Sequence, residues 1–331
     1  MVFYASNHSR SNDRSNGKER IWWRIQASGL FSFRFDDGYV GYWPKGWLAE
    51  NRQDNTIWPI KKRPPDRFQP KSRFPKGRDM TPKPIVLVTG AAVRIGRAIA
   101  TEFAKSGFRA VIHHHRSQIE ARELVAELEA RFPAGHLAVA ADLRLPQERE
   151  ALFNDLCERG LLPSVLVNNA STYRRGPLLE LDEAGLAEDY AVNLVAPLML
   201  MRLFARHCRS GCIINLLDQR VAGTEANTGG YGLAKKSLRD ATELAALEWA
   251  PGIRVNGVAP GLVLPAPGVP FEKMERLLAN VPLRAPIAAE AIGKACVFLA
   301  NTHSITGQIL FLDGGQHLTA PVAIETLRPH V

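Results

Sequence analysis

At 331 residues, 46% of them apolar, the chain is long enough to bury one large α/β core or two smaller ones. Its longest apolar run, residues 194–201, is too short to span a bilayer and ends at Arg202, which excludes a membrane-spanning protein of helical type. Four cysteines, Cys157, Cys208, Cys212 and Cys296, do not make a disulfide framework at this size, and the Cys208/Cys212 spacing lacks the second pair a metal site needs. Free thiols, no metal and a soluble protein in a reducing cytoplasm are the expectation.

The charge is unevenly spread. Residues 1–79 hold 16 Lys and Arg against 8 Asp and Glu, and so carry +8 of the formal +9. Basic residues interleaved with Trp22, Trp23, Trp43, Trp47 and Trp58 have the composition of a nucleic-acid arm. Against that reading, the stretch sustains neither a strand nor a helix period and is broken by six prolines from Pro44 to Pro75, so a disordered extension is expected, with nucleic acid not a partner. It has no apolar segment behind a basic one, as a secretory signal would, and Asp13, Glu19, Asp36 and Asp37 spoil an organelle leader. Met80, four residues before the first core strand, is a candidate start, with residues 80–331 as the folded domain.

From Pro84 onward β-branched runs alternate with helical patterns, the signature of βαβ units and a parallel sheet covered on both faces. Strands are expected at 85–89, 109–115, around HLAVAAD, at 163–170 and at 211–217, with IRVNGVAP and GQILFLDGG last. Helices are expected to follow TGAAVRIG, to cover about 118–131, to begin near Pro146, to run through 183–207 and to carry Tyr231 and Lys235. The fold class is therefore α/β: one doubly wound Rossmann-type domain of seven parallel strands and about six helices.

In such sheets ligands sit at the carboxyl ends of the strands, and the chemistry-bearing residues fall there. Gly90 ends the first strand and Gly96 lies in the first turn of the next helix, where backbone can approach a pyrophosphate and the helix N-terminus offers free N–H groups. Arg94 occupies the place of the middle glycine, so the turn alone is an incomplete fingerprint. The second strand ends in His113, His114, His115, Arg116 and Ser117, with no carboxylate for a ribose hydroxyl. Guanidinium and hydroxyl suit a 2′-phosphate, and NADPH is the expected cofactor.

Tyr231 and Lys235 stand i, i+4 on one helix face. An ammonium about 4 Å from a phenol, at an effective dielectric near 20, is worth roughly 4 kcal/mol as a ceiling, enough to bring a phenol toward neutrality for general acid catalysis. Asp218 works in the opposite sense, opposing ionisation of the phenol, and an anionic acceptor favours a substrate with N–H donors over a simple ketone. The alternative roles are a capped loop for Asp218 and an unrelated surface pair for Tyr231 and Lys235.

Over residues 84–319 these motifs, with Ala141-Asp142-Leu143, Asn168-Asn169-Ala170, Asn193, Pro260-Gly261 and Leu312-Asp313-Gly314-Gly315, resemble the short-chain dehydrogenase/reductase family in order and spacing. The resemblance implies a proton relay of Asn193, Tyr231 and Lys235. It implies a cofactor bed that includes Gly90, Arg94, Ile95, Gly96, His115, Arg116, Ser117, Asp142, Leu143, Asn169, Ala170, Lys235, Pro260 and Gly261, with Asp142 at the adenine. It further implies a homotetramer built on the long helices.

Arg94, the His115-Arg116-Ser117 triplet, Ser171, Asp218 in place of the usual serine, and Tyr173 depart from the family's common pattern and resemble its pteridine reductase and dihydromonapterin reductase branch. That resemblance implies NADPH-dependent reduction of a dihydropterin, with Arg94, Ser171, Tyr173, Asp218 and Tyr231 toward the substrate and Tyr173 stacked on the pterin. A carbonyl reductase such as a 3-oxoacyl reductase, and a non-catalytic dinucleotide-binding regulator, are the alternatives. The Pro- and Gly-rich stretch 262–286 reads as a mobile substrate lid.

Overall fold

The computed structural model describes residues 22–25, 31–34, 40–43, 83–263 and 271–319, and the chain divides into two compact units, Met1–Gly77 and Arg78–Val331. In the first unit, β1 (Trp22–Ile25), β2 (Phe31–Arg34) and β3 (Val40–Trp43) pair as an antiparallel meander. No strand was expected there. The segments are short, but Trp, Phe, Tyr, Val and Ile are the residues that favour extended, half-covered backbone. The expectation of disorder for the rest of 1–79, and the Met80 start, lie outside the described residues.

The second unit is built on seven parallel strands. These are β4 (Ile85–Val88), β5 (Arg109–His114), β6 (Leu137–Ala140), β7 (Val165–Asn168), β8 (Gly211–Leu216), β9 (Ile253–Pro260) and β10 (Ile309–Leu312), in the order β10-β9-β8-β7-β4-β5-β6. Alternate side chains feed two cores. Val86, Val88, Ala110, Ile112, Val165 and Val167 pack on one face, and Leu87, Val111 and Leu166 on the other, all but inaccessible to water. That double burial is why the strands read as continuous apolar runs.

Helices α1 (Arg94–Lys105) and α2 (Gln118–Arg131) cover the first face through Ile99, Phe103, Leu124 and Leu128. Helix α3 (Pro146–Glu158) covers the second through Phe153 and Leu156. Each such fully buried side chain contributes about 1.5–3 kcal/mol of transfer free energy. The expected long helix at 183–207 is three pieces: α4 (Glu183–Tyr190), a π-helical turn (Ala191–Val195) and α5 (Ala196–Cys208). Beyond them lie α6 (Gly229–Glu248), α7 (Phe271–Leu278) and α8 (Ala289–Asn301), giving eight α-helices among the described residues where about six were expected. Helix α7 falls inside the stretch read as a lid.

After β6 the chain returns to the far side of β4 to form β7, so neighbouring strands run away from each other in sequence and a crevice opens at their carboxyl ends. Thr89 and Asn169 brace its two walls. The Thr89 hydroxyl accepts the N–H groups of Asn169 and Ala170, each at 2.9 Å, while Asn169 Nδ2 donates to the carbonyls of Thr89 and Gly90 at 2.9 and 3.1 Å.

Candidate active site

The glycine turn after β4 is held tightly. Gly90 has φ +60°, and a side chain on Gly96 would put its Cβ 2.2 Å from the Gly90 carbonyl oxygen and 2.6 Å from Asn169 Nδ2. Arg94 also takes a left-handed φ of +53°, which a glycine adopts freely and another residue at a cost of about 1–2 kcal/mol. Val93, at the N-cap of α1, makes no side-chain capping bond, and the first turn, Arg94, Ile95 and Gly96, borders the crevice. Beneath the turn, buried His113 accepts the Gly90 N–H on Nδ1 at 3.1 Å and sets Nε2 3.0 Å from the Ala141 carbonyl. Burial lowers its pKa to about 4, so the imidazole stays neutral.

A cleft of about 480 Å³ runs from this turn along the ends of β5 and β6. Gly90, Arg94, Ile95, Gly96, His115, Arg116, Ser117, Asp142, Leu143, Asn169, Ala170 and Ser171 all border it. Asp142 is less open than the adenine role asks for. Its carboxylate accepts Arg144 Nε at 2.9 Å and Nη2 at 2.6 Å, with His115 Nε2 3.7 Å away, and the Arg144 guanidinium holds its pKa down to about 2.

A second cleft of about 190 Å³ shares Arg94, Ile95, Asn169 and Ser171 with the first and adds Asp218, Tyr231, Lys235, Pro260 and Gly261. Asp218 leaves β8 and caps a 3-10 turn at Gln219–Ala222, while Tyr231 and Lys235 come from the first two turns of α6. The Tyr231 hydroxyl donates to Asp218 Oδ2 at 2.9 Å. Lys235, fully enclosed, donates to the Leu216 carbonyl at 2.7 Å, with Nζ 5.8 Å from the centre of the Tyr231 ring. The Tyr173 ring stands edge-on to Tyr231, centroids 4.8 Å apart and planes at 84°.

The electrostatics decide between two opposed expectations. Burial first, then the charge and hydrogen bond of Asp218, push the Tyr231 phenol well above its ordinary pKa instead of toward neutrality. Lys235 spends its ammonium on Leu216, and burial lowers it to about 8. The phenol is therefore a protonated donor facing a carboxylate.

Asn193 sits in the π-helical turn, a geometry common where a helix is bent to aim a side chain. Its Nδ2 donates to the carbonyls of Thr172 and Asp189 at 3.0 and 3.1 Å, and its Oδ1 accepts the Ser171 hydroxyl at 2.6 Å. These contacts tie it to the NNAS loop and to α4, and none of them is to Tyr231 or Lys235. Sequence reasoning passed over Arg220, whose Nη1 reaches Asp218 Oδ2 at 3.0 Å, and Arg144; in each case the only local signal was a carboxylate two residues upstream. No helix among the described residues is long and apolar enough to cross a membrane, and no cluster of three or more metal-ligating side chains occurs among them.

The chain is similar in sequence and fold to known proteins. The sequence family described as Enoyl-(Acyl carrier protein) reductase matches residues 90–317. Pteridine reductase 1 of Leishmania tarentolae is 32% identical over 280 residues, covering 71% of this chain and 97% of that protein. The 3-oxoacyl-(acyl-carrier-protein) reductase FabG of Staphylococcus aureus is 31% identical over 248 residues, covering 70% and 97%. Among solved structures, FolM alternative dihydrofolate reductase 1 from Brucella suis, in complex with NADP, superposes with a TM-score of 0.66 at 34% identity over 72% of this chain and 96% of that one. Its counterpart from Brucella canis, also complexed with NADP, gives 0.69 at 33% over 75% and 99%. The chain belongs to the short-chain dehydrogenase/reductase family of oxidoreductases. Its relatives there include reductases of pteridines and of 3-oxoacyl thioesters.

Proposed function

We propose that this protein reduces a dihydropterin, with dihydromonapterin, dihydrobiopterin and dihydrofolate as candidates, to the tetrahydro form at the expense of NADPH. The observation that carries the reading is the 2.9 Å bond between the Tyr231 phenol and the Asp218 carboxylate, in a cleft continuous with the glycine turn. A 3-oxoacyl reductase ordinarily has serine at position 218, and a keto group brings no N–H donor for a carboxylate to accept.

The residues suit a phosphate-tailed dinucleotide. Gly96 leaves room that a Cβ would fill, Val93 gives α1 no side-chain cap, and Arg116 and Ser117 border the cleft at the end of β5. Arg94, Ile95, Gly96, Asn169, Ala170, Pro260 and Gly261 would line the dinucleotide, with Asp142 and Leu143 toward its adenine end. When bound, NADPH supplies a hydride to the carbon of the substrate C=N bond. Tyr231 supplies the proton to the nitrogen, and Asp218 accepts hydrogen bonds from the substrate's amino and ring N–H groups. Lys235, its Nζ 5.8 Å from the centre of the Tyr231 ring, would offset the phenolate left behind and would hold the cofactor ribose, and Asn193 holds the loop bearing Ser171. Tyr173, at the mouth, offers its ring to the flat face of the heterocycle.

The assembly we favour is the homotetramer that the family resemblance implies, and the exposed apolar face of Leu233, Leu244 and Leu247 on α6 suits a subunit contact. The four free thiols suit a reducing compartment, the cytoplasm.

The test is NADPH oxidation by the purified protein against a dihydropterin panel and an acetoacetyl thioester. Turnover with a dihydropterin is expected. Turnover with the thioester alone would identify a carbonyl reductase, and silence with both a cofactor-binding regulator.

A further inference from the structure

Two residues beyond Asp218, Arg220 has no part in the mechanism above, yet it touches both groups offered to the substrate. Its backbone N–H donates to Asp218 Oδ1 at 3.0 Å, and its Nη1 reaches Oδ1 and Oδ2 at 3.2 and 3.0 Å. Its Cζ lies 5.8 Å from the centre of the Tyr173 ring. From behind, Glu225 accepts its Nε at 2.8 Å and is itself bonded to Arg175 at 3.3 Å. The guanidinium and the Asp218 carboxylate are only 18% and 14% exposed.

We propose that Arg220 is a positioning residue, fixing Asp218 as an acceptor-only carboxylate and Tyr173 at its angle to Tyr231, so that the phenol alone carries the transferable proton. The inference rests on the reading that Asp218 and Tyr231 serve a dihydropterin.

The hydrogen-bond inventory supports it. All of the contacts described for the Asp218 carboxyl come from donors, namely the Arg220 N–H and guanidinium and the Tyr231 hydroxyl. A protonated carboxyl would require an acceptor for its own hydrogen; the three Arg220 contacts, to both carboxylate oxygens, can only donate, which leaves the Tyr231 hydroxyl as the single described partner able to accept one. The chemistry needs the same arrangement. In the reduction the C=N carbon takes the hydride electron pair and the nitrogen takes the Tyr231 proton, leaving a phenolate that solvent reprotonates. For that interval two anions, phenolate and carboxylate, face each other at hydrogen-bond distance in a largely dry site. A guanidinium on one side and the Lys235 ammonium on the other offset the repulsion. The Arg220 side chain stays firmly charged, as that role requires. Burial disfavours the cation, but Asp218, Tyr173 and Glu225 together outweigh it and raise its pKa. A fork of fixed geometry can hold both carboxylate oxygens and lie against an aromatic ring at once, which a lysine cannot do.

The experiment compares wild type, R220K and R220M for steady-state reduction of a dihydropterin and for NADPH affinity, read by quenching of nicotinamide fluorescence. R220M is expected to lower kcat/KM for the dihydropterin roughly 10- to 100-fold, with a raised pterin KM. R220K is expected to recover part of that loss, and both variants to keep the NADPH Kd within about twofold of wild type. An R220M protein with wild-type kcat and pterin KM would overturn the proposal, as would equal damage in both variants accompanied by lost NADPH affinity, the mark of a contact that only supports the fold. If R220M does not fold, R220K decides: reduced pterin kcat/KM with intact NADPH binding supports the proposal, and unchanged kinetics refute it. A wild-type protein inert toward every dihydropterin would remove the underlying reading and this inference with it. An active wild type beside an indifferent R220M would remove the inference alone.

Discussion

Replacing Asp218 by serine, the residue usual at this place in the family, tests the arrangement at its most distinctive point. The substitution deletes the acceptor 2.9 Å from the Tyr231 hydroxyl and both carboxylate contacts of the Arg220 guanidinium. A hydrogen bond to a charged partner is worth about 1.5–3 kcal/mol, so kcat/KM for the dihydropterin is expected to fall roughly 10- to 150-fold. The stability cost is smaller than for a fully buried broken pair, because Arg220 keeps its 2.8 Å bond to Glu225. We expect about 1–3 kcal/mol, read as a fall in Tm of about 2–4 °C per kcal/mol for a domain of this size. Steady-state kinetics with a dihydropterin, NADPH titration and thermal melts of D218S and D218N together give the answer. D218N retains one acceptor oxygen and is expected to fall between D218S and wild type. Full pterin turnover in D218S would refute the reasoning, and so would loss of NADPH binding in step with turnover.

Three further perturbations bear on the cofactor cleft. R116D is expected to raise the KM for NADPH at least about tenfold and to improve NADH, since a carboxylate repels a 2′-phosphate and holds a ribose hydroxyl; unchanged selectivity in steady-state assays would contradict the placement of Arg116. G96A forces a Cβ to within 2.2 Å of the Gly90 carbonyl, so the turn must move. A loss of about 1–3 kcal/mol in denaturant titration, with weakened NADPH binding, is expected, and an unaffected variant would show that the turn is looser than described. His113 sets a pH dependence. Its folded pKa of about 4 lies below the ordinary imidazole value of 6.5, so the unfolded chain binds more protons between those values. Its contribution is therefore complete above pH 6.5 and lost as pH falls toward 4, about 3 kcal/mol in all. H113Q, which keeps an acceptor for Gly90 but cannot titrate, is expected to flatten the acid limb of Tm against pH in that window; an unchanged limb would assign it to other groups.

What could be read from the sequence was whatever leaves a local pattern. Doubly buried strands such as Ile85–Val88 and Val165–Asn168 announce themselves as apolar runs, and helix α2 spans the expected Gln118–Arg131 because its start and stop are both marked locally. Tyr231 and Lys235 were placed on one helix by spacing alone, and their approach to Asp218 follows from the order of β8, the capped turn and α6. The π-helical turn at Asn193 was not visible, since one extra residue per turn leaves no compositional trace. Helix α7 was hidden behind the prolines and glycines around it. The net direction of the Tyr231 shift was left open between Lys235 and Asp218, because both can be written down from the sequence, whereas burial of the phenol and the turning of the ammonium toward Leu216 exist only in the fold. Nor did a histidine run reveal which ring is structural: His113 and His114 are buried, and His115 borders the cleft.

The most direct test is a single-turnover reaction with NADPH carrying deuterium at the transferable position of nicotinamide C4, a dihydropterin, and either wild-type or Y231F protein, the products read by mass spectrometry and NMR. We expect one deuterium on a ring carbon of the tetrahydropterin with wild type, and formation of that product slowed by about 10²–10⁴ in Y231F with NADPH still bound. Unlabelled tetrahydropterin, no tetrahydropterin at all with wild type, or a Y231F protein as fast as wild type would contradict the account.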